Sequence, residues 1–128
     1  MASISYNKQR VLYILEQIVI AVGQLKNWNR DVSTSDDYYL SDTGMQKLAA
    51  SCMLIEAIGE SVNQIDQVTK GELFRLRPEI PWGDIIGIRN HIAHGYFDID
   101  ADVVLQVIKE DLDPFLEAVQ FLRTELDS

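Results

Sequence analysis

Arg89, His94 and Tyr96 fall within one short string, Arg89-Asn90-His91-Ile92-Ala93-His94-Gly95-Tyr96. Arginine is a permanent cation that holds phosphate oxygens with two hydrogen bonds. Histidine takes or gives a proton near neutral pH. Tyrosine adds a hydroxyl that can bond or be modified. These are the parts for cleaving or holding a phosphodiester without a metal. The reaction that suits them is attack of an RNA 2′-hydroxyl on its own phosphate. His94 would move the proton, and Arg89 would stabilise charge on the phosphoryl oxygens. DNA lacks that hydroxyl and would be inert. The bare spacing is common by chance, and a His94 that only caps a helix beside a surface Arg89 is the plainer alternative. The setting strengthens the chemical reading, because the string closes an apolar helix and Gly95 follows at its stop.

On a regular helix Asn90 and His94 share a face, whereas Arg89 and His94 are roughly 140° apart around the axis. One protomer would then struggle to aim both groups at one phosphate. Either the helix unwinds at His94, or two copies meet along this helix and share a site across a two-fold axis. The second solution predicts a homodimer centred on the Trp82–His94 helix, with parts of the last helix buried. Glu60, on a preceding helix, is either a solvated charge or a supporting carboxylate aimed at the motif. His91 and His94 could share a metal, but no third ligand has a convincing spacing. No metal and no cofactor is therefore expected, and His91 reads as a packing or dimer-contact residue. The chain has no phosphate-binding glycine loop, Gly-x-Ser-x-Gly string or Cys–His arrangement of a thiol enzyme.

The elements that must position this motif read as helices. Val11, Leu15, Ile18, Val22 and Leu25 recur by threes and fours on one helical face. Ser3 or Ser5 could cap that helix. Asp31 to Thr43 is polar, with a short helical piece over Asp36 to Leu40. Leu48, Cys52, Ile55, Gly59 and Val62 mark a second helix, and Leu54, Ile58 and Ile65 widen its stripe, which makes it central. Gly59 inside it implies close helix contact. Thr69 to Arg77 can form a short helix stopped by Pro78. Pro81 suits the first turn of the motif helix, which should run from Trp82 to about His94. Gly95 fits a left-handed C-cap. Asp98 or Asp100 caps a last long helix carrying Val104, Ile108, Leu112, Phe115, Val119, Leu122 and Leu126. Pro114 should kink it near the carbonyl of Glu110. The expected fold is all-α: an antiparallel helical bundle of four main helices plus short pieces, with residues 1–128 as one domain.

Charge narrows the partners. The net charge of −9 argues against a general nucleic-acid coat. It is uneven, however: Lys70 to Arg89 holds four basic residues and three acids, whereas Asp98 to Ser128 holds nine acids and two bases. The motif region is the least repulsive place for a phosphate. The acidic tail helix reads as a solvated face. No apolar run reaches the ~18 residues of a membrane span. The N-terminal MASISYNKQR lacks the apolar core of a signal peptide, so a cytoplasmic location is expected. The single Cys52 lies among apolar residues and reads as buried packing.

At these residues the chain resembles HEPN domains of the HepT type, the DUF86 family. Arg89-x4-His94-x-Tyr96 is similar to that family's signature, as are Ile58-Gly59-Glu60, Pro81-Trp82 and Gly95-Tyr96-Phe97-Asp98-Ile99-Asp100. The resemblance covers nearly the whole chain. It implies an all-helical homodimer whose paired motif helices form a metal-independent endoribonuclease site, with Arg89 and His94 catalytic. Asn90, on the His94 face, and Glu60 are read from the residues as supporting groups. The resemblance also implies the toxin half of a toxin–antitoxin pair. The partner would be a nucleotidyltransferase-fold antitoxin that transfers adenylate from ATP to Tyr96. Added phosphate two residues from His94 would bring negative charge and bulk into the groove RNA must enter. A second reading is a non-catalytic helical dimer that binds and scaffolds the nucleotidyltransferase. The acidic balance favours that reading modestly, and the intact Arg89, His94 and Tyr96 favour the first.

Overall fold

The computed structural model of the chain describes residues 6–95 and 98–128. It is all-α, as expected. Helix α1 spans Lys8–Trp28, and its buried face is Val11, Ile14, Leu15, Ile18, Val22 and Leu25. Its cap is Asn7, whose side chain accepts from the Arg10 amide at 3.1 Å; Ser3 and Ser5 lie outside the described residues. A 3-10 turn over Ser35–Tyr39 matches the short piece expected there.

Helix α2 spans Asp42–Thr69. Ser41 Oγ accepts from the Gly44 amide at its start. At its end Lys70 adopts a left-handed conformation, and the Gly71 amide returns to the Asp66 carbonyl. That bond satisfies one of the carbonyls a helix end leaves open. Helix α2 is central: it packs on α1, on the 3-10 turn and on the three short helices that follow it. Cys52 is buried on its inner face, and burial, with the charge of Glu56, pushes its thiol pKa up. This fits a packing residue.

After a 3-10 turn at Leu73–Leu76, the segment expected as one motif helix is two. Helix α3 covers Trp82–Ile86 and α4 covers Arg89–Ile92. Gly87 and Ile88 join them through amide bonds that reach back three residues, from Ile88 to Ile85 and from Asn90 to Gly87. Gly87 is a poor helix residue, and it sits where the segment presses on α2.

Trp82 fixes the start of this segment. It stacks on Phe74 with centroids 4.0 Å apart, meets Phe115 edge-on, and donates from Nε1 to the Arg77 carbonyl.

Helix α5 covers Ala101–Gln106, and Asp100, not Asp98, caps it by accepting from the Val103 amide. The kink expected at Pro114 takes the form of a π turn over Val107–Asp111, followed by α6 at Leu112–Asp127. One extra residue in the turn eases the clash between the proline ring and the preceding carbonyl. Within the turn, Lys109 donates to the Asn29 carbonyl. Asn29 itself is buried: its amide donates to Leu25 O and Ser51 Oγ, and its oxygen accepts from Tyr38 Oη at 2.6 Å. Burial pushes the Tyr38 phenol up to about 12, so it remains a donor across the physiological range. No described helix is long and apolar enough to cross a membrane.

The tightest approach in this architecture is at Gly59. A Cβ there would lie 2.7 Å from the Ile85 carbonyl oxygen and 3.0 Å from Ile88 Cγ2. The carbonyl is backbone and cannot swing away. Gly59→Ala should therefore destabilise the protein by about 1–3 kcal/mol, despite the ~1 kcal/mol helix preference of alanine over glycine. Denaturant unfolding checks this; a midpoint equal to or above wild type would show that α2 and α3 do not meet there.

Candidate active site

The site is built at the end of α4. That helix stops at Ile92, and Ala93 is extended, with φ −149 and ψ 135. The Ala93 amide still bonds the Arg89 carbonyl at 3.1 Å. Beyond it the chain folds back on itself. Ala93 pairs with Ile99 in an isolated antiparallel bridge. The His94 amide donates to the Asp98 carbonyl at 2.9 Å, and the Asp100 amide donates to the Ile92 carbonyl at 2.8 Å. Two backbone bonds thus clamp the segment that carries His94. Gly95 has φ +135, a conformation that disfavours any residue with a Cβ. It lies in this clamped loop, not at a left-handed helix C-cap as the sequence suggested.

The unwinding changes the argument about the motif. Arg89 and His94 are not on one regular helix, so the 140° separation does not apply, and a dimer does not follow from that angle. The helix does end before His94, which is one of the two arrangements open at the sequence level. The motif helix is also not uniformly available to a second copy. Trp82 is buried in the protomer, whereas Arg89, Asn90, His91 and His94 are exposed.

Arg89 extends into solvent with 70% of its side chain exposed, and its Nε lies 3.9 Å from Glu56 Oε1. Such a pair is worth about 0–1 kcal/mol in water, so it restrains the guanidinium without tying it up. No hydrogen bond or ion pair joins Arg89 to His94 among the described residues. Glu60 is exposed and makes no ion pair there. The carboxylate that approaches the motif is Glu56, one turn earlier on α2. Sequence reasoning passed over Glu56; its signal is its place four residues before Glu60 and three before Gly59. Tyr96 lies outside the described residues.

A groove of about 700 Å³ lies on the other side of the motif segment. Ile55, Ile58, Ile88 and Val107 make it apolar, and Asp84 and Asp111 line it too. Burial and the neighbouring Glu110 push the Asp111 carboxyl up. Carboxylates on an apolar floor do not suit a phosphate backbone. His91 lines this groove and His94 does not, which separates the two histidines. Among the described residues no group of three or more His, Cys, Asp or Glu side chains is placed to hold a metal ion.

The chemistry available at the α4 end is therefore a largely exposed guanidinium beside Glu56 and an imidazole on a clamped backbone. One can bind a phosphate, and the other can transfer a proton.

Comparison with known proteins points the same way. Residues 18–122 match the family described as Ribonuclease HepT-like. The chain is 33% identical over 98 residues to a protein of Thermococcus cleftensis named probable ribonuclease HepT, a match covering 77% of this chain and 82% of that one. It is 29% identical over 68 residues to a putative RNase of Methanocaldococcus jannaschii, covering 53% of this chain and 59% of the relative. A third relative, from the same organism, is named gamma-glutamylcyclotransferase and putative RNase; it is 24% identical over 122 residues, and the match spans half of its length. No solved structure matches the chain significantly. With the family match running through α4 and the clamped loop, the chain belongs to the HepT-like ribonuclease family.

Proposed function

We propose that the chain is a metal-independent endoribonuclease whose site is completed by a second copy, and that it is the toxin half of a toxin–antitoxin pair. The observation that carries this reading is the exposed Arg89 and His94 around the end of α4, within a family whose named relatives are ribonucleases. His94 takes the 2′-hydroxyl proton or delivers one to the leaving oxygen, and Arg89 stabilises the charge that builds on the phosphoryl oxygens. Asn90 and Glu60 support the pair. RNA is the substrate because it carries its own nucleophile.

An open site is a poor place for electrostatic catalysis, since water screens each charge. A second copy supplies the missing wall. The exposed face of α2 offers a surface for it: Met45 and Met53 are 52% and 62% exposed, with Ala49 and Ala57 at the same four-residue steps. Methionine adapts to irregular surfaces. This face adjoins Glu56 and hence Arg89, so a two-fold contact here brings the two motifs together.

Regulation follows from Tyr96. A nucleotidyltransferase-fold antitoxin adenylylates its hydroxyl using ATP, adding a phosphodiester charge and a purine two residues from His94, which repels and blocks RNA. The second reading is a non-catalytic dimer that scaffolds the nucleotidyltransferase. The acidic balance of the chain supports that alternative.

Labelled RNA incubated with purified protein in EDTA should be cleaved to a cyclic phosphate or 3′-phosphate. Arg89→Ala and His94→Ala should each lose at least ~100-fold in rate, the lower end of what a positioned proton-transfer group contributes. Loss of activity in EDTA with recovery in Mn²⁺, or variants as fast as wild type, would overturn the assignment.

Met53→Glu should split the dimer, because it places a carboxylate in an apolar contact, and cleavage should fall with it. Light scattering alongside the RNA assay checks this. A wild-type monomer at micromolar concentration that cleaves RNA would remove the shared site.

Tyr96→Phe should keep much of the cleavage activity and escape silencing by the partner. Intact-mass spectrometry after incubation with the nucleotidyltransferase and ATP decides it: adenylate on Tyr96→Phe as readily as on wild type would refute the role of Tyr96.

A further inference from the structure

Glu56 is the one carboxylate within ion-pair distance of Arg89 among the described residues, with Oε1 3.9 Å from Nε. It sits on α2 one turn before Gly59, where α2 touches the carbonyl of Ile85 and the side chain of Ile88. Its side chain is 29% exposed, against 70% for Arg89. It makes no hydrogen bond among the described residues, so Arg89 is the charge partner the structure gives it. Glu56 is thus the less exposed member of the pair and Arg89 the more exposed one.

The atom that makes the contact matters. The guanidinium is planar and carries its donors on two usable edges. Glu56 approaches at Nε, and the Nη groups make no hydrogen bond or ion pair among the described residues. The separation is too long for a hydrogen bond, so the restraint is electrostatic. It strengthens wherever water is excluded.

We propose that Glu56 is a positioning residue for phosphodiester cleavage: it holds the Arg89 guanidinium by its Nε side and aims the Nη edge at the phosphoryl oxygens. This rests on the ribonuclease reading above. The alternative role for a carboxylate beside an RNA site is simple repulsion of the phosphate, and the two roles separate in kinetics. Repulsion alone predicts that removing the charge lowers KM and leaves kcat unchanged. Positioning predicts that kcat falls.

The experiment uses Glu56→Gln, Glu56→Asp, Arg89→Ala and the double variant Glu56→Gln/Arg89→Ala, each compared with wild type by thermal unfolding. Glu56→Gln should lower kcat by about tenfold, toward the ~100-fold that a 1 Å misplacement can cost, with an unchanged or lower KM. Glu56→Asp should recover part of that loss. In the Arg89→Ala background Glu56→Gln should cost nothing further, since there is no guanidinium left to aim. A lowered KM at full kcat, or an equal loss in both backgrounds, overturns the proposal.

A second measurement does not need catalysis. The Arg89 Nε–H NMR resonance, assigned by its loss in Arg89→Ala, should shift in Glu56→Gln without RNA present. An unmoved resonance overturns the hold. A moved resonance in a protein that cleaves no RNA upholds the hold and overturns the ribonuclease reading instead.

Discussion

The approach of α2 to the Trp82–Ile92 segment at Gly59 is the constraint on which the site depends. With no side chain at position 59, the backbone of α2 comes within contact of the Ile85 carbonyl and Ile88. That contact sets how far α3 and α4 stand from the longest helix of the protein. It places Arg89, on the first turn of α4, beside Glu56, one turn back from Gly59 on α2. A wider spacing would leave the arginine with no carboxylate in reach. The segment accommodates the close approach by breaking at Gly87 and Ile88, where the amide bonds shorten to a three-residue reach. Trp82, locked between Phe74 and Phe115, keeps the start of the segment in place while its end turns outward.

The end of α4 then has to present a histidine without helical support. Backbone bonds do this work: His94 to Asp98 and Asp100 to Ile92 hold the loop from both sides, and Asp100 also caps the helix that follows. Asp100 therefore links the site to the last helices through both its amide and its carboxylate. The π turn at Val107–Asp111 continues that link, because Lys109 reaches across to the Asn29 carbonyl at the end of α1. Asn29, Ser51 and Tyr38 form a small buried network with every side-chain polar group satisfied. Such a network is stabilising only while it is complete, which gives the bundle a specific register as well as a core.

The electrostatics also divide the surface. Arg89 and His94 are both exposed to solvent, with Glu56 beside the arginine. The groove beside them is apolar and carries carboxylates, and the tail helix keeps its acids exposed. A chain of net charge −9 thus presents Arg89 as an exposed cation on an acidic molecule. The proposed ribonuclease reading therefore rests on a few placed groups and not on a broad basic face.

Much was written in the sequence. Threefold and fourfold recurrence of apolar residues gave the long helices, because a buried stripe must follow the 3.6-residue turn. Glycine at position 59 announced a close contact, and the motif string together with its flanking segments announced the family. Local pattern could not fix the path of the motif itself. Trp82 to His94 reads as one helix by composition, yet packing on α2 breaks it at Gly87, and the bridge to Ile99 pulls Ala93 out of it. The angle between Arg89 and His94 therefore had to come from tertiary contacts. So did the identity of the nearby carboxylate: Glu56 and Glu60 are one turn apart on the same helix, and only the placement of α4 decides which one the arginine meets. Sequence sets which residues are available and how each helix is striped, but distances between segments far apart in the chain are set by how their surfaces pack.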